Sequence, residues 1–422
     1  MDEKGATLVW KGIPYAKPPV GDLRWKEPQN LEPLDQPFIT KEPGDVCIQS
    51  SADGVIGSED CLYLDIYRPK TDKENLPVLV FIHGGNNQTG QSDEITGGEA
   101  FVNDLDVIYV SINYRLGPLG FNPLVALNTG NKLEDSGNYT LLDIAKSLDW
   151  INENIEGFGG GDPANVTVAG FSAGGRNVMT MLTSPLFENK FHKAMVFSGG
   201  MTMADPEDSR KVFANAIAPL VVEDGKKETE EEAYKWLQTG HEEVKEYLYS
   251  LSAERLSELM SGAAIRMSTF PHLYSDGGVV LPKEQFDTTT FIEVPLIMTT
   301  GTSEFSMFAM EDPYFTTSLE GNEHTDEEKQ AELEFVLKYG SLLYGLFNTQ
   351  ESATRLIDHY NAPIYTLKLP FGDEESITPG LKEYRSFHGV FVPLLDTNNT
   401  TMLPMFQEDY QLEGGPEIKR SV

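Results

Sequence analysis

The stretch that most constrains this chain is Val166-Thr167-Val168-Ala169-Gly170-Phe171-Ser172-Ala173-Gly174-Gly175-Arg176. Val166, Val168 and Ala169 make a short β-rich run, and Asn177-Val178-Met179-Thr180-Met181-Leu182 is compatible with a helix. Between them stands Gly170-Phe171-Ser172-Ala173-Gly174, a G-x-S-x-G pentapeptide. A strand that turns sharply into a helix through this pattern leaves the central serine at a strained φ/ψ. Small neighbours let strand and helix approach, which accounts for Gly170 and Gly174. The helix N-terminus then lies beneath Ser172, where its N–H groups and positive dipole end favour developing negative charge. The pattern marks Ser172 as a candidate nucleophile.

The flanking chain supplies more strands of the same kind. Leu76-Pro77-Val78-Leu79-Val80-Phe81-Ile82 and Val107-Ile108-Tyr109-Val110-Ser111-Ile112 are apolar runs, as expected for strands buried on both faces. Leu62-Tyr63-Leu64-Asp65-Ile66-Tyr67 alternates like a strand. Leu141 to Ile155 has helical spacing, with Leu142, Ala145, Leu148, Trp150 and Ile151 apolar. Lys193 to Ser198, Val294 to Thr299 and Pro363 to Leu369 read as later strands. Alternating strands and helices predict an α/β fold, a central mostly parallel β-sheet flanked by helices. The first fifty residues, rich in Pro and Gly, read as extended, turning chain. From about 205 to 270 the pattern becomes amphipathic helix, with Glu228 to Glu232 as a solvated helix start and Ser252 to Met260 as another helix. Thr325 with Glu328 resembles a capping box opening a helix through Tyr339. We read residues 1–422 as a single α/β domain with a helical insertion at about 203–290.

Sixty-six acidic residues against 32 basic ones give a net charge of −34, which argues against nucleic acid or an anionic membrane as partner. No apolar run approaches the length of a membrane span, and Met1 to Gly5 carries no apolar leader, so no signal peptide is expected here. The two cysteines, Cys47 and Cys61, fit either a disulfide or two buried thiols, and spacing alone does not choose. No Cys/His spacing suits a metal.

A serine hydroxyl needs a base. His324, His359 and His388 all follow a plausible acid. His324 precedes a helix cap in a charged loop, and His359 sits at the polar end of a helix. His388, in Ser386-Phe387-His388-Gly389 just past the last strand, stands where a catalytic base belongs. Glu304 leaves a strand through Thr300-Gly301-Thr302-Ser303 and is the candidate acid. Its rival, Asp276, lies in Asp276-Gly277-Gly278, which more often marks a turn. His83-Gly84-Gly85-Asn86-Asn87, straight after Ile82, suits a loop whose N–H groups receive an oxyanion, together with the N–H of Ala173.

These residues resemble the type-B carboxylesterases and cholinesterases of the α/β-hydrolase fold. Gly12-Ile13-Pro14-Tyr15-Ala16 with Pro19-x-Gly21-x-Leu23-Arg24-Trp25 is similar to that family's N-terminal signature. So are Ser58-Glu59-Asp60-Cys61-Leu62-Tyr63-Leu64, Asn113-Tyr114-Arg115-Leu116-Gly117 and Gly137-Asn138 with Asp143. Phe158-Gly159-Gly160 through Asp162-Pro163, Val166-Thr167, Ser275-Asp276-Gly277, Leu281-Pro282 and His388-Gly389 extend the likeness from about residue 8 to 395. The resemblance implies a Ser172–Glu304–His388 triad and an oxyanion hole from Gly84, Gly85 and Ala173. It also implies a Cys47–Cys61 disulfide and structural ion pairs Arg24–Glu59 and Arg115–Asp143.

The chain departs from the family pattern at several points. Asn86 stands where a third glycine is usual, and Thr299 replaces a glycine before the acid. Val390-Phe391 replaces an acidic neighbour of the histidine, and Gly159-Gly160-Gly161 carries an extra glycine. The chain is expected to start later than the family's N-terminal strands and to stop short of its usual C-terminal helix.

The resemblance implies a carboxylic-ester hydrolase that needs no metal or cofactor and acts on a small-molecule ester. A lipase or thioesterase of the same fold, or a non-catalytic binding protein, are the alternatives. A Cys47–Cys61 disulfide would imply a secreted or periplasmic location.

Overall fold

The computed structural model describes residues 2–4, 6–32, 40–93, 99–262, 264–265, 267, 270–280, 292–316, 326–371 and 384–395. His324, Thr325, Leu281 and Pro282 lie outside these residues.

Eleven strands are present among the described residues: β1 (Asp2–Lys4), β2 (Thr7–Pro14), β3 (Gln49–Ser51), β4 (Gly54–Ile56), β5 (Tyr63–Pro69), β6 (Leu76–Ile82), β7 (Ile108–Ile112), β8 (Gly161–Phe171), β9 (Lys193–Phe197), β10 (Leu296–Gly301) and β11 (Ile364–Leu369). Nine form one sheet in the order β1-β2-β5-β7-β6-β8-β9-β10-β11, and β3 and β4 make a separate hairpin. From β7 to β11 all neighbours run parallel, whereas β1, β2, β5 and β7 pair antiparallel. This is the mostly parallel sheet of the α/β-hydrolase fold. Strands β1 and β2 complete the antiparallel side of the sheet, and β2 pairs with β5 across a register shift between Trp10 and Ile13.

The period-two pattern explains why the sheet is covered on both faces. Along β8, Val166 and Val168 enter the larger core, while Ala169 and Phe171 enter the smaller one opposite. On β7, Ile108, Val110 and Ile112 face the first core and Tyr109 the second. Leu64 through Pro69 of β5 are all buried, and helix Glu99–Leu105 packs over the strand. β11, at the sheet edge, leaves Tyr365 and Leu367 exposed.

Helix Tyr139–Asn154 buries Leu141, Leu142, Ile144, Ala145, Leu148 and Ile151, close to the face expected from its spacing. Between β9 and β10 lie helices Pro206–Glu223, Glu230–Leu237, Glu242–Ser250 and Ala253–Ser257. Asp205, Thr229 and Ser252 cap three of them with their side chains. Phe213, Ile217, Val221, Leu237, Val244 and Leu248 join the main core, so these helices pack on the α/β body. The helix opening at Asp326 runs well past Tyr339, through two wide-turned segments, to Ile357. Among the described residues no helix is long and apolar enough to cross a membrane.

Cys47 and Cys61 are bonded to each other. Arg24 reaches Glu59 with Nε at 2.6 Å and Nη2 at 2.5 Å. Arg115 holds buried Asp143 through Nε at 2.8 Å, Nη2 at 2.7 Å and its backbone N–H at 3.1 Å. Both ion pairs serve the scaffold.

Candidate active site

The register gathers one end of the parallel strands. Ile82 pairs with Gly170, Phe171 with Phe197, and Phe197 with Thr299. The segments leaving β6, β8, β9 and β10 at their carboxyl ends therefore emerge side by side. They carry His83-Gly84-Gly85, Ser172, Ser198 and Glu304. The crevice beyond strand carboxyl ends is where open α/β sheets collect their ligands.

Ser172 sits between β8 and helix Ala173–Met181 at φ 54° and ψ −114°, outside the allowed wells for a side-chain-bearing residue. Such a conformation costs about 1–3 kcal/mol and persists because its surroundings impose it. Here the Ser172 N–H donates to Phe197 O at 2.8 Å. A Cβ on Gly170 would meet Gly174 O at 2.2 Å, and one on Gly174 would meet Ile82 O at 2.0 Å. The two glycines are thus required by close backbone approach, as the pentapeptide predicted.

The loop after β6 lies against this turn. A Cβ on Gly84 would stand 3.2 Å from Ser172 Cβ. Gly85 adopts φ 90°, and Asn86 and Asn87 adopt φ 57° and 56°. Asn86 thus takes a left-handed conformation that asparagine tolerates better than most residues. His83 is buried, stacks on Tyr114 at 4.2 Å, and is held near pKa 4 by burial, so it stays neutral and structural.

Glu304 is fully buried and saturated with partners. Its Oε1 accepts from Ser198 Oγ at 2.6 Å, Thr300 Oγ1 at 2.9 Å and the Gly301 N–H at 2.5 Å. Its Oε2 lies 2.6 Å from His388 Nδ1. Where the carboxylate accepts this bond, the imidazole proton sits on Nδ1 and Nε2 carries none. The loop bearing His388 reaches Glu304 because Gly301 has no side chain; a Cβ there would meet Ser386 O at 2.4 Å. The imidazole is enclosed by Phe171 at 4.8 Å, Phe308 at 5.1 Å and Tyr344 at 5.3 Å between ring centres. Val390 and Phe391 are buried, with Phe391 stacked on Phe197 at 4.0 Å.

The rivals lie elsewhere. Asp276 accepts the N–H groups of Gly278, Val279 and Val280 and contacts Asn138, closing the turn its Gly-Gly suggested. His359 is exposed after helix Glu351–Ile357. Among the described residues no group of three His, Cys, Asp or Glu side chains could hold a metal.

Sequence patterns alone did not reveal Ser198, Thr300, Tyr344 or Arg176. Tyr344 donates to Ser198 O at 2.8 Å and also interacts with Ser172 and Arg176. Ser198 had a local signal, its place directly after a strand. Tyr344 had none, since it arrives on a helix far along the chain.

The chain matches the carboxylesterase family over residues 1–400. It belongs to that family. The para-nitrobenzyl esterase of Bacillus subtilis (strain 168) is 40% identical over 224 residues, covering 51% of this chain and 45% of that protein. Carboxylesterase 1E of Rattus norvegicus is 35% identical over 318 residues, covering 70% of this chain and 54% of that protein. The chain thus spans about half the length of these curated relatives. Among solved structures, a PNB esterase superposes with a TM-score of 0.73 at 27% identity, covering 99% of this chain and 85% of that one. A carboxylesterase of Geobacillus stearothermophilus gives 0.72 at 25% identity, covering 93% and 80%.

Proposed function

We propose that this carboxylesterase-family chain hydrolyses carboxylic esters through an acyl-enzyme on Ser172. The observation that carries the reading is a strained Ser172 whose chain neighbour Phe171 packs on the ring of a buried Glu304–His388 couple. His388 Nε2 takes the Ser172 proton as Oγ bonds to the ester carbonyl carbon. Glu304 holds the imidazole in that tautomer and stabilises the imidazolium. The N–H groups of Gly84, Gly85 or Asn86, with that of Ala173, receive the oxyanion. The C–O bond to the alcohol then breaks as His388 returns the proton to the leaving oxygen. Water, activated by His388, attacks the acyl carbon and releases the carboxylic acid with Ser172 restored. No cofactor enters any step.

Small esters are the expected substrates, in keeping with relatives named para-nitrobenzyl esterase and carboxylesterase. The bonded Cys47–Cys61 pair supports an oxidising, secreted or periplasmic setting. The test is Ser172→Ala with a short nitrophenyl ester, alongside labelling by an organophosphate. Loss of turnover and of labelling is expected; turnover near the wild-type level in that variant sinks the reading.

A further inference from the structure

Asn86, a departure from the family pattern, meets Arg176 close to Ser172. Arg176 lies four residues after the serine, and its Nη1 donates to Asn86 Oδ1 at 3.1 Å. Asn86 is 4% exposed, and its Nδ2 has no acceptor. Arg176 Nε is likewise buried without an acceptor. The neighbouring Asn87 and Asn177 show how such groups are normally satisfied: each amide donates to the other at 2.9 Å.

Arg24, Arg115 and Arg255 each face one or two carboxylates. Arg176 faces none among the described residues, in a chain with 66 acidic side chains to offer. A buried donor left unmade is costly unless something else supplies the acceptor. Nε lies on the guanidinium edge that takes a carboxylate with two parallel N–H bonds. Tyr344, which interacts with both Arg176 and Ser172, links the guanidinium to Ser172.

We propose that Arg176 and Asn86 form a subsite for a carboxylate carried by the ester substrate, a few bonds from the scissile carbonyl. The inference rests on the esterase reading and narrows it to anionic esters, such as monoesters of short dicarboxylic acids or esters of hydroxy acids. Arg176 offers the charge-assisted fork, and Asn86 Nδ2 adds a neutral donor.

The experiment compares matched ester pairs by NMR. Monoethyl glutarate against ethyl butyrate carries the carboxylate on the acyl side; 4-acetoxybutanoate against butyl acetate carries it on the alcohol side. The readout is the ratio of kcat/KM for anionic over neutral ester, in which effects on the shared machinery cancel. In Arg176→Gln that ratio falls about tenfold in at least one pair and partly recovers in Arg176→Lys, as expected for one charge-assisted contact. A fall of less than about threefold in both pairs overturns the subsite. Should the wild type cleave neither member of either pair, the esterase reading fails, and calorimetry with glutarate alone decides the subsite. Binding that Arg176→Gln weakens sustains it; binding absent from the wild type, or equal in both proteins, overturns it.

Discussion

Glu304 Oε2 lies 2.6 Å from His388 Nδ1, while its Oε1 is occupied by Ser198, Thr300 and the Gly301 N–H. The carboxylate is therefore fixed by donors on one oxygen and spends the other on the imidazole. Glu304→Gln is isosteric but forces a choice. Three donors hold the amide oxygen at the Oε1 position, which points the NH2 group at Nδ1. The imidazole must then accept at Nδ1 and carry its proton on Nε2, where it cannot serve as base. We expect kcat to fall by about 10³–10⁴ with little change in KM, as for a triad locked in the wrong tautomer. Steady-state kinetics on a nitrophenyl ester checks this, and a loss below about tenfold contradicts the role.

Gly85 combines φ 90° with a neighbour that leaves no room: a Cβ there would meet Thr89 O at 2.1 Å. Gly85→Ala must displace the loop that carries Gly84 and Asn86. Removing one well-aimed oxyanion donor costs about 10²–10³ in kcat. A loss of that order is expected, with the disulfide and the bulk of the fold intact by circular dichroism. Full activity would show that the N–H groups of this loop do not receive the oxyanion.

The Cys47–Cys61 bond joins residues at a sequence separation of 14, next to the Arg24–Glu59 pair. In the chain-entropy account a loop of that length is worth about 3 kcal/mol. Replacing both cysteines by serine is expected to lower the unfolding free energy measured by denaturant titration by that amount, while leaving Ser172 labelling by an organophosphate intact. Thiol titration of the wild type in denaturant without reductant should find none.

Strands β6, β7 and β8 were legible because both their faces are apolar, and Ser172 because its glycines answer to backbone contacts a few residues away. The contact of His388 with Glu304 was foreshadowed by the place of each just after a strand. The covering of β5 was not, since helix Glu99–Leu105 arrives from a later segment. Strand β2 was hidden in the Pro- and Gly-rich N-terminal stretch, which reads as extended chain until β1 and β5 pair with it. Arg176 could be read as a helix residue but not as a partner of Asn86, 90 residues earlier. Long-range polar contacts of this kind leave no periodic trace in the sequence.

Asp65, on β5, is 2% exposed and its Oδ1 accepts the Gly12 N–H at 2.8 Å. Burial raises its carboxyl to about pKa 6, against the pull of Gly12 N–H and nearby Lys11. Below about pH 4 the carboxyl is protonated in both folded and unfolded chains and costs nothing. Between about pH 4 and 6 the unfolded chain releases its proton first, so stability falls as pH rises, and above about pH 6 the whole cost remains. A shift of about two pKa units corresponds to about 3 kcal/mol. Asn keeps an oxygen for Gly12 and carries no charge. Asp65→Asn is therefore expected to stabilise the protein at pH 7.5 by up to about 3 kcal/mol and to gain nothing near pH 4. Urea denaturation of both proteins at the two pH values measures the difference, and an equal effect at both would mean that Asp65 is not a strained anion in the folded chain.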